Sequence, residues 1–425
     1  MKRRLLTRWT TALIAAFLCW AAMPSRAQTT EITLWSHWAA EQIKRSFVED
    51  AAKRFEAANP GVKVKISWYE KTALYAALKT ALRAGQGPDI FYAEPDQVEY
   101  MENGLLLDLS SLNWANVEPW ARQAWTWKGK PYGLPLEAWT LELYVNRDLL
   151  RELNVAVPAS GQLSPQAFAG MVTAAKAKGI TPMALGVGDR PFPGTQVTHE
   201  ALLKRLGVQD YGRLLAGQLP WDDARVVATL RWVKGLLDAG LLPASFSTLK
   251  LGEAHTYFHT NPKAVSFLNG SWYTSRAFNP PDKGGQPANF PLGMMKYPAV
   301  PDAVCNECKT MAVGGSFVVN AATKAPRAAV GFLNSLATPE MGNRWLENVL
   351  VQTGIKSDAS KITGANAAYF KMLADLNASA VYHFGMPSQV MQGKARETYI
   401  QIFNSAFLSG AISVDDAVKQ MKAAY

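Results

Sequence analysis

The chain has 425 residues and a formal charge of +10, from 44 Lys and Arg against 34 Asp and Glu. Five of the basic residues and none of the acids fall in residues 1–27, so the excess halves once that segment is set aside. No basic cluster remains, which makes nucleic acid a poor partner. What is left, about 400 residues, is too long for one hydrophobic core at roughly 100–200 residues per domain, so two domains are expected.

Residues 1–27 combine a basic start (Lys2, Arg3, Arg4, Arg8), an apolar stretch from Ala12 to Ala22 and a small-x-small ending at Ser25-Arg26-Ala27. That pattern predicts a secretory signal peptide, because the apolar run is too short to span a bilayer. Ala16-Phe17-Leu18 before Cys19 lacks the small residues of a lipoprotein cleavage site, so lipid attachment is not expected. The mature protein is expected free in a periplasm.

Ile32 to Trp35 reads as a first strand, and it runs into Ser36-His37-Trp38, a polar and aromatic cluster ahead of a helix. Open parallel sheets bind ligands at such strand ends, which makes Trp35, His37 and Trp38 site candidates. The helix predicted from Ala40 to Ala58 aligns Ile43, Phe47, Val48, Ala51 and Phe55 on one face, and Asn59-Pro60-Gly61 stops it. Val62, Val64, Ile66 and Trp68 alternate with polar residues as a second strand. Leu74, Leu78, Ala81 and Leu82 mark a helix, and Asp89 to Ala93 is a third strand. This β-α-β-α-β order implies a parallel sheet. Glu94 and Asp96 follow the third strand; Pro95-Asp96 suits helix initiation, so Asp96 reads as a cap and Glu94 as the better ligand candidate.

Pro131-Tyr132-Gly133-Leu134-Pro135 cannot be helical, since each proline removes a donor and restricts its predecessor. Leu136 to Asn146 has the aromatic and β-branched content of a buried strand, with Trp139 in it. Glu137 and Glu142 interrupt it, and one of them is expected to face a polar cleft.

"YGLP" followed by an apolar strand and "LYVNRDLL" (residues 143–150) resembles the extracellular solute-binding proteins of carbohydrate ABC importers, the maltose-binding-protein-like family 1. "ANPGVKV" and "GQGPDIFYAEPDQVEYMENGLLLDLS" upstream are similar to the same family, as is "PRAAVGFLNSLATPEMGNRWL" downstream. The resemblance covers essentially the whole mature chain. It implies an α/β fold of two lobes, each a mainly parallel sheet flanked by helices, with multiple crossover strands at the hinge. Lobe 1 would comprise residues 28–138 and 299–338, lobe 2 residues 139–298 and 339–425.

"ITPMALG" (180–186) would then open the second lobe with Asp189 near the ligand, and "AVSFLNGSW" (264–272) would supply Trp272 as a stacking face. Gly270 would let backbone approach the ligand. "MAVGGSFVVN" would be the return segment into the first lobe; Gly314 and Gly315 weaken a strand unless close approach is needed there, and with Ser316 they join the site. Other tryptophans, such as Trp114, Trp120, Trp125, Trp127, Trp221 and Trp232, carry no positional argument and are taken as structural.

Sugar rings offer hydroxyl rims and C–H faces, which indoles and carboxylates match. The implied function is capture of a sugar or polyol by lobe closure and delivery to inner-membrane permease subunits, by a monomer and without catalysis. An exported enzyme using Glu94 and Glu137, or a ligand-binding sensor subunit, are the alternatives. No cofactor or metal is expected: His255 and His259 stand four apart, but Thr256 occupies the glutamate position of the zinc-protease pattern. Cys305 and Cys308, in Cys-Asn-Glu-Cys, read as a local disulfide in an oxidising compartment, ahead of a zinc half-site or a redox centre.

Overall fold

A computed structural model describes residues 29–425 except 190–192, 261–262 and 365–366; the expected signal peptide lies outside the described residues. The strands are β1 (Thr30–Ser36), β2 (Val62–Trp68), β3 (Ile90–Ala93), β4 (Thr126–Trp127), β5 (Lys130–Pro131), β6 (Gly133–Pro135) and β7 (Ala138–Asn146). There follow β8 (Thr181–Ala184), β9 (Ala264–Gly270), β10 (Leu292–Met295), β11 (Cys308–Val313), β12 (Ser316–Val319) and β13 (Val381–Phe384).

The first sheet has the order β2-β1-β3-β12-β6. Its β2-β1-β3 part is parallel, with Ile32 opposite Val64 and Leu34 opposite Ile90, as the alternation of strands and amphipathic helices requires. Helix Gln42–Ala58 buries Phe47, Val48, Ala51 and Phe55, the face its spacing predicts. The second sheet runs β13-β11-β7-β9-β8, with β10 also on β7. The nine-residue β7 is its spine, and eight of those residues are buried.

The β8-β9 and β11-β13 pairs are parallel. Strands that cross between the sheets or fold back beside a crossing strand pair antiparallel: β12 with β3 and β6, β7 with β9, β10 and β11. Each sheet is therefore mixed, with its parallel part away from the crossings.

The chain passes between the sheets at Pro135–Ala138 and at Val313–Ser316, and the two passages are tied together: Glu137 donates its N–H to Gly315 O and Gly314 to Glu137 O, both at 2.8 Å. A third stretch touches them where Ala138 N–H donates to Gln352 O (2.8 Å). The packing does not follow the expected lobe boundaries at 299 and 339. β11 belongs to the second sheet, because it pairs with β7 and β13, and the return to the first sheet comes only at Gly314-Gly315. Helix Pro339–Val349 places Met341, Trp345 and Val349 in the core of the first sheet, not the second.

A disulfide joins Cys305, in the turn before β11, to Cys308, the strand's first residue. His255 and His259 lie in an aromatic cluster: His259 Nε2 is 2.6 Å from Tyr273 Oη, and His255 Nε2 is 3.2 Å from Asn269 Nδ2. Of the two acids in the hinge strand, Glu142 is fully buried and satisfied by Lys309 (2.7 Å), Thr140 and Asn377. Glu137 is the one that reaches the space between the sheets.

Candidate functional site

That space is a cleft of about 660 Å³ whose walls come from both sheets. The parallel strands β1 and β3 end at it and deliver His37 and Glu94; the crossing passages supply Glu137 and Gly314. β7 contributes Trp139, and the segment after β9 contributes Trp272 and Arg276.

The wall beside the first sheet is charged. Lys44, on the first turn of its helix, places Nζ 2.8 Å from both Glu41 Oε2 and Glu137 Oε2, and all three are nearly sealed from solvent. Arg276 reaches across from the second-sheet side to within 3.7 Å of Glu41 Oε1. Burial alone would raise the Glu41 carboxyl, but Lys44 and Arg276 outweigh it and hold the group well below the usual range. For Glu137 burial wins over Lys44, and its pKa is raised. Burial lowers the Lys44 ammonium; Glu137 and Glu41 reverse that and keep it charged.

Glu94 sits at the centre of a second cluster. Lys71 Nζ donates to its two oxygens at 2.6 and 2.7 Å, Tyr92 Oη to Oε1 at 2.6 Å and Tyr75 Oη to Oε2 at 3.1 Å. Burial again acts upward, yet Lys71 and the hydroxyls bring Glu94 down to about 2. Asp96, beside it, is pushed up to about 7 by burial and by the Glu94 charge. His37 packs edge-on against Tyr92, with ring centroids 4.3 Å apart. Desolvation and the nearby Lys71 keep its imidazole neutral, so it can both donate and accept.

The opposite wall is apolar. Trp139 is 3 % exposed and meets half-buried Trp272 edge-to-face at 4.6 Å and 87°. Leu251 and Met386 complete it. Gly270 serves this wall by making room for a ring, not by admitting ligand as expected: a Cβ there would stand 1.9 Å from Trp272 Cζ3. At Gly315 a Cβ would lie 2.7 Å from Tyr92 Cε2 and 2.9 Å from Trp38 Cζ2, which accounts for glycine where the passage crosses over aromatic rings.

Of the residues singled out in the sequence, His37, Glu94, Glu137, Trp139, Trp272 and Gly314 therefore meet at the cleft. The others stand behind it. Trp38 is fully buried in the first core against Tyr92, Phe317 and Trp345. Trp35 packs on Tyr69 (5.2 Å). Ser316 Oγ accepts from Trp125 Nε1 at 2.8 Å and donates to Gly314 O. Asp189 accepts from Leu251 N–H (2.8 Å) at the start of helix Leu251–His259 and so positions a residue of the apolar wall. Asp96 is not a helix cap: the next helix begins at Glu99, and Asp96 lines the cleft.

Glu41, Lys44, Lys71 and Arg276 escaped the sequence reading. Two of them carried a signal. Lys44 precedes Phe47, Val48 and Ala51, and Lys71 precedes Leu74 and Leu78, at the spacing of a buried stripe. A lysine in a stripe at the first turn of a helix, beside a strand end, marks a charge drawn inward by a partner.

The arrangement is a two-walled cleft, and no helix among the described residues is long and apolar enough to cross a membrane. Residues 50–356 match the family model of the bacterial extracellular solute-binding proteins, and the chain belongs to that family. It is 24% identical, over 328 residues, to an ABC transporter extracellular-binding protein of Pyrococcus horikoshii, covering 74% of this chain and 70% of that one. It is 34% identical to the maltodextrin-binding protein MdxE of Bacillus subtilis over a shorter stretch of 112 residues, 26% of this chain and 27% of the other. Among solved structures, a chitin oligosaccharide binding protein superposes with a TM-score of 0.79 at 22% identity, covering 93% of this chain and 98% of the other. The binding protein RafE in complex with raffinose gives 0.70 at 20% identity, covering 93% and 100%. These structural likenesses establish the two-lobed binding-protein fold.

Proposed function

We propose that this solute-binding protein captures a neutral saccharide between its charged and its aromatic wall and delivers it to the permease subunits of an ABC importer. It would act as a monomer, exported to the periplasm, with lobe 1 built on the first sheet and lobe 2 on the second. The observation that carries the reading is the pairing of the cations that line the cleft. Lys44 is engaged by Glu41 and Glu137, Lys71 by Glu94, and Arg276 faces Glu41. An anionic solute would have to displace a buried carboxylate to reach them, whereas sugar hydroxyls can use the lone pairs that Glu41 and Glu137 have left. The indole pair supplies the ring-face contact. The similar proteins are named for maltodextrin and chitin oligosaccharide or were solved with raffinose, which agrees with this class of solute.

Closure would follow from the same division. Contacts made to both walls exist only when the lobes are together, and shifting a mostly open population to mostly closed needs roughly 5.5 kcal/mol of such contacts. A hydrolytic role for Glu94 and Glu137 is disfavoured because the Glu94 charge is spent on Lys71, Tyr75 and Tyr92.

The test is a thermal-shift screen over neutral mono- and oligosaccharides, polyols, uronates and sugar phosphates, with the solute recovered afterwards. A neutral saccharide at about a thousand times its Kd should add on the order of 4 kcal/mol of stability and return chemically unchanged. Stabilisation by anionic solutes alone, or recovery of cleaved sugar, would overturn the proposal.

A further inference from the structure

Beside the cleft, and sharing Val313 and Gln389 with its wall, lies a second groove of about 920 Å³. It too is walled from both sheets. Met101, Trp120 and Trp127 line it on the first-sheet side, and Met311, Phe384 and Val390 on the second. Trp120 and Trp127 are half-buried, while Phe384 and Val390 are 45% and 41% exposed. Trp120 and Phe384 stack across the gap at 5.2 Å and 18°. Large apolar side chains left open in this way, continuous with a ligand cleft, need an occupant.

The lining also says what kind. No charged side chain faces this groove among the described residues; its polar side chains are Gln123, Gln389, Gln392 and Thr126. Amides and a hydroxyl among aromatic plates suit a neutral, hydroxylated, flat-faced molecule, the same chemistry as the main cleft without its ions. Gln389 belongs to both spaces and is itself fixed, with Nε2 donating to Val313 O at 2.8 Å, so the two spaces meet at a rigid polar sill.

We infer that the groove is a second subsite of the same receptor: the solute is an oligosaccharide whose first ring lies at Trp139 and Trp272 and whose further rings run past Gln389 onto Trp127 and Phe384. This rests on the reading of the solute as a neutral saccharide. It gives Trp120 and Trp127 a role that the sequence withheld from them.

The experiment is calorimetric titration of the full mature chain with malto-, xylo- and chito-oligosaccharides of one to four rings, repeated on Trp127→Ala and Phe384→Ala. The two variants remove plates from opposite sides of the groove, and Phe384 is exposed enough to be cut back without opening a core. In the series that binds, affinity should rise by about tenfold or more from one ring to three, the equivalent of 1.4 kcal/mol. Each variant should lose most of that rise and hold the one-ring affinity within about twofold. Equal affinity for one ring and three, or a rise that both variants retain, overturns the second subsite and leaves the main cleft standing. Failure of every saccharide at every length to bind overturns both readings.

Discussion

The two walls of the cleft solve opposite problems with residues drawn from different sheets. On the first-sheet side, Glu41, Lys44, Lys71, Glu94 and Asp96 bring charges out of water beside the neutral His37 and must satisfy one another before any ligand arrives. On the second-sheet side, half-buried Trp272 presents area that gains from being covered, backed by the buried Trp139, Leu251 and Met386, and Arg276 is this wall's one charged side chain among the described residues. The comparison teaches where affinity and stability should separate. Damage to the charged wall leaves an uncompensated buried ion in the protein itself, whereas damage to the aromatic wall is felt when the solute is bound.

Substitution of one residue on each side puts that separation to the test. Lys44→Met strands Glu41 and Glu137, and should cost roughly 3–5 kcal/mol of unfolding free energy by urea titration; adding Glu137→Gln should return part of it. Trp272→Ala should weaken saccharide binding by about thirtyfold, roughly 2 kcal/mol, in calorimetric titration. A thirtyfold loss from Lys44→Met at unchanged stability would erase the distinction between the walls.

Acidity sharpens the comparison within the charged wall, because neighbouring carboxyls are shifted in opposite directions. Glu94 is held at about 2 against an ordinary 4.5, so its contribution to stability is complete above pH 4.5 and fades as pH falls towards 2. Glu94→Gln should therefore destabilise at pH 7 and lose that effect on acidification. Asp96, raised from 3.8 to about 7, costs the native state increasingly as pH climbs through that interval. Asp96→Asn should be neutral below pH 4 and stabilising by pH 8, levelling off above about 7, as read from melting temperatures. The smallest effect is expected at Trp35→Ala, which touches Tyr69 and not the cleft; its saccharide affinity should stay within about twofold of the parent chain.

Much of this architecture is legible in the residues. Period-two and period-3.6 patterns locate β1, β2 and β3 and the helices between them, and the Pro-Gly segment before β7 marks the passage from one sheet to the other. The aromatic residues were harder to sort. Trp38 and Trp272 both follow strand ends, yet one is sealed in the core beneath Tyr92 and the other lies in the cleft. The difference comes from what sits above each ring: Gly315 and Tyr92 close over Trp38, while Gly270 lets Trp272 fold back towards Trp139. Neither relation is local in sequence.

Which sheet a late element joins is not legible in the sequence for a similar reason. β11 and helix Pro339–Val349 look like ordinary elements, and only pairing partners far along the chain assign them to a sheet. Lys44 and Lys71 were readable in principle, as cations within apolar stripes, but their meaning depends on Glu137 and Glu94 arriving from other strands.

A crystal structure of the chain with a bound neutral saccharide tests the central claim most directly. It should place a sugar ring against the Trp272 indole with hydroxyls within hydrogen-bond reach of Glu137 or Glu41, and both sheets in contact with it. A saccharide held by one sheet alone, or seated away from Trp139 and Trp272, would contradict the account.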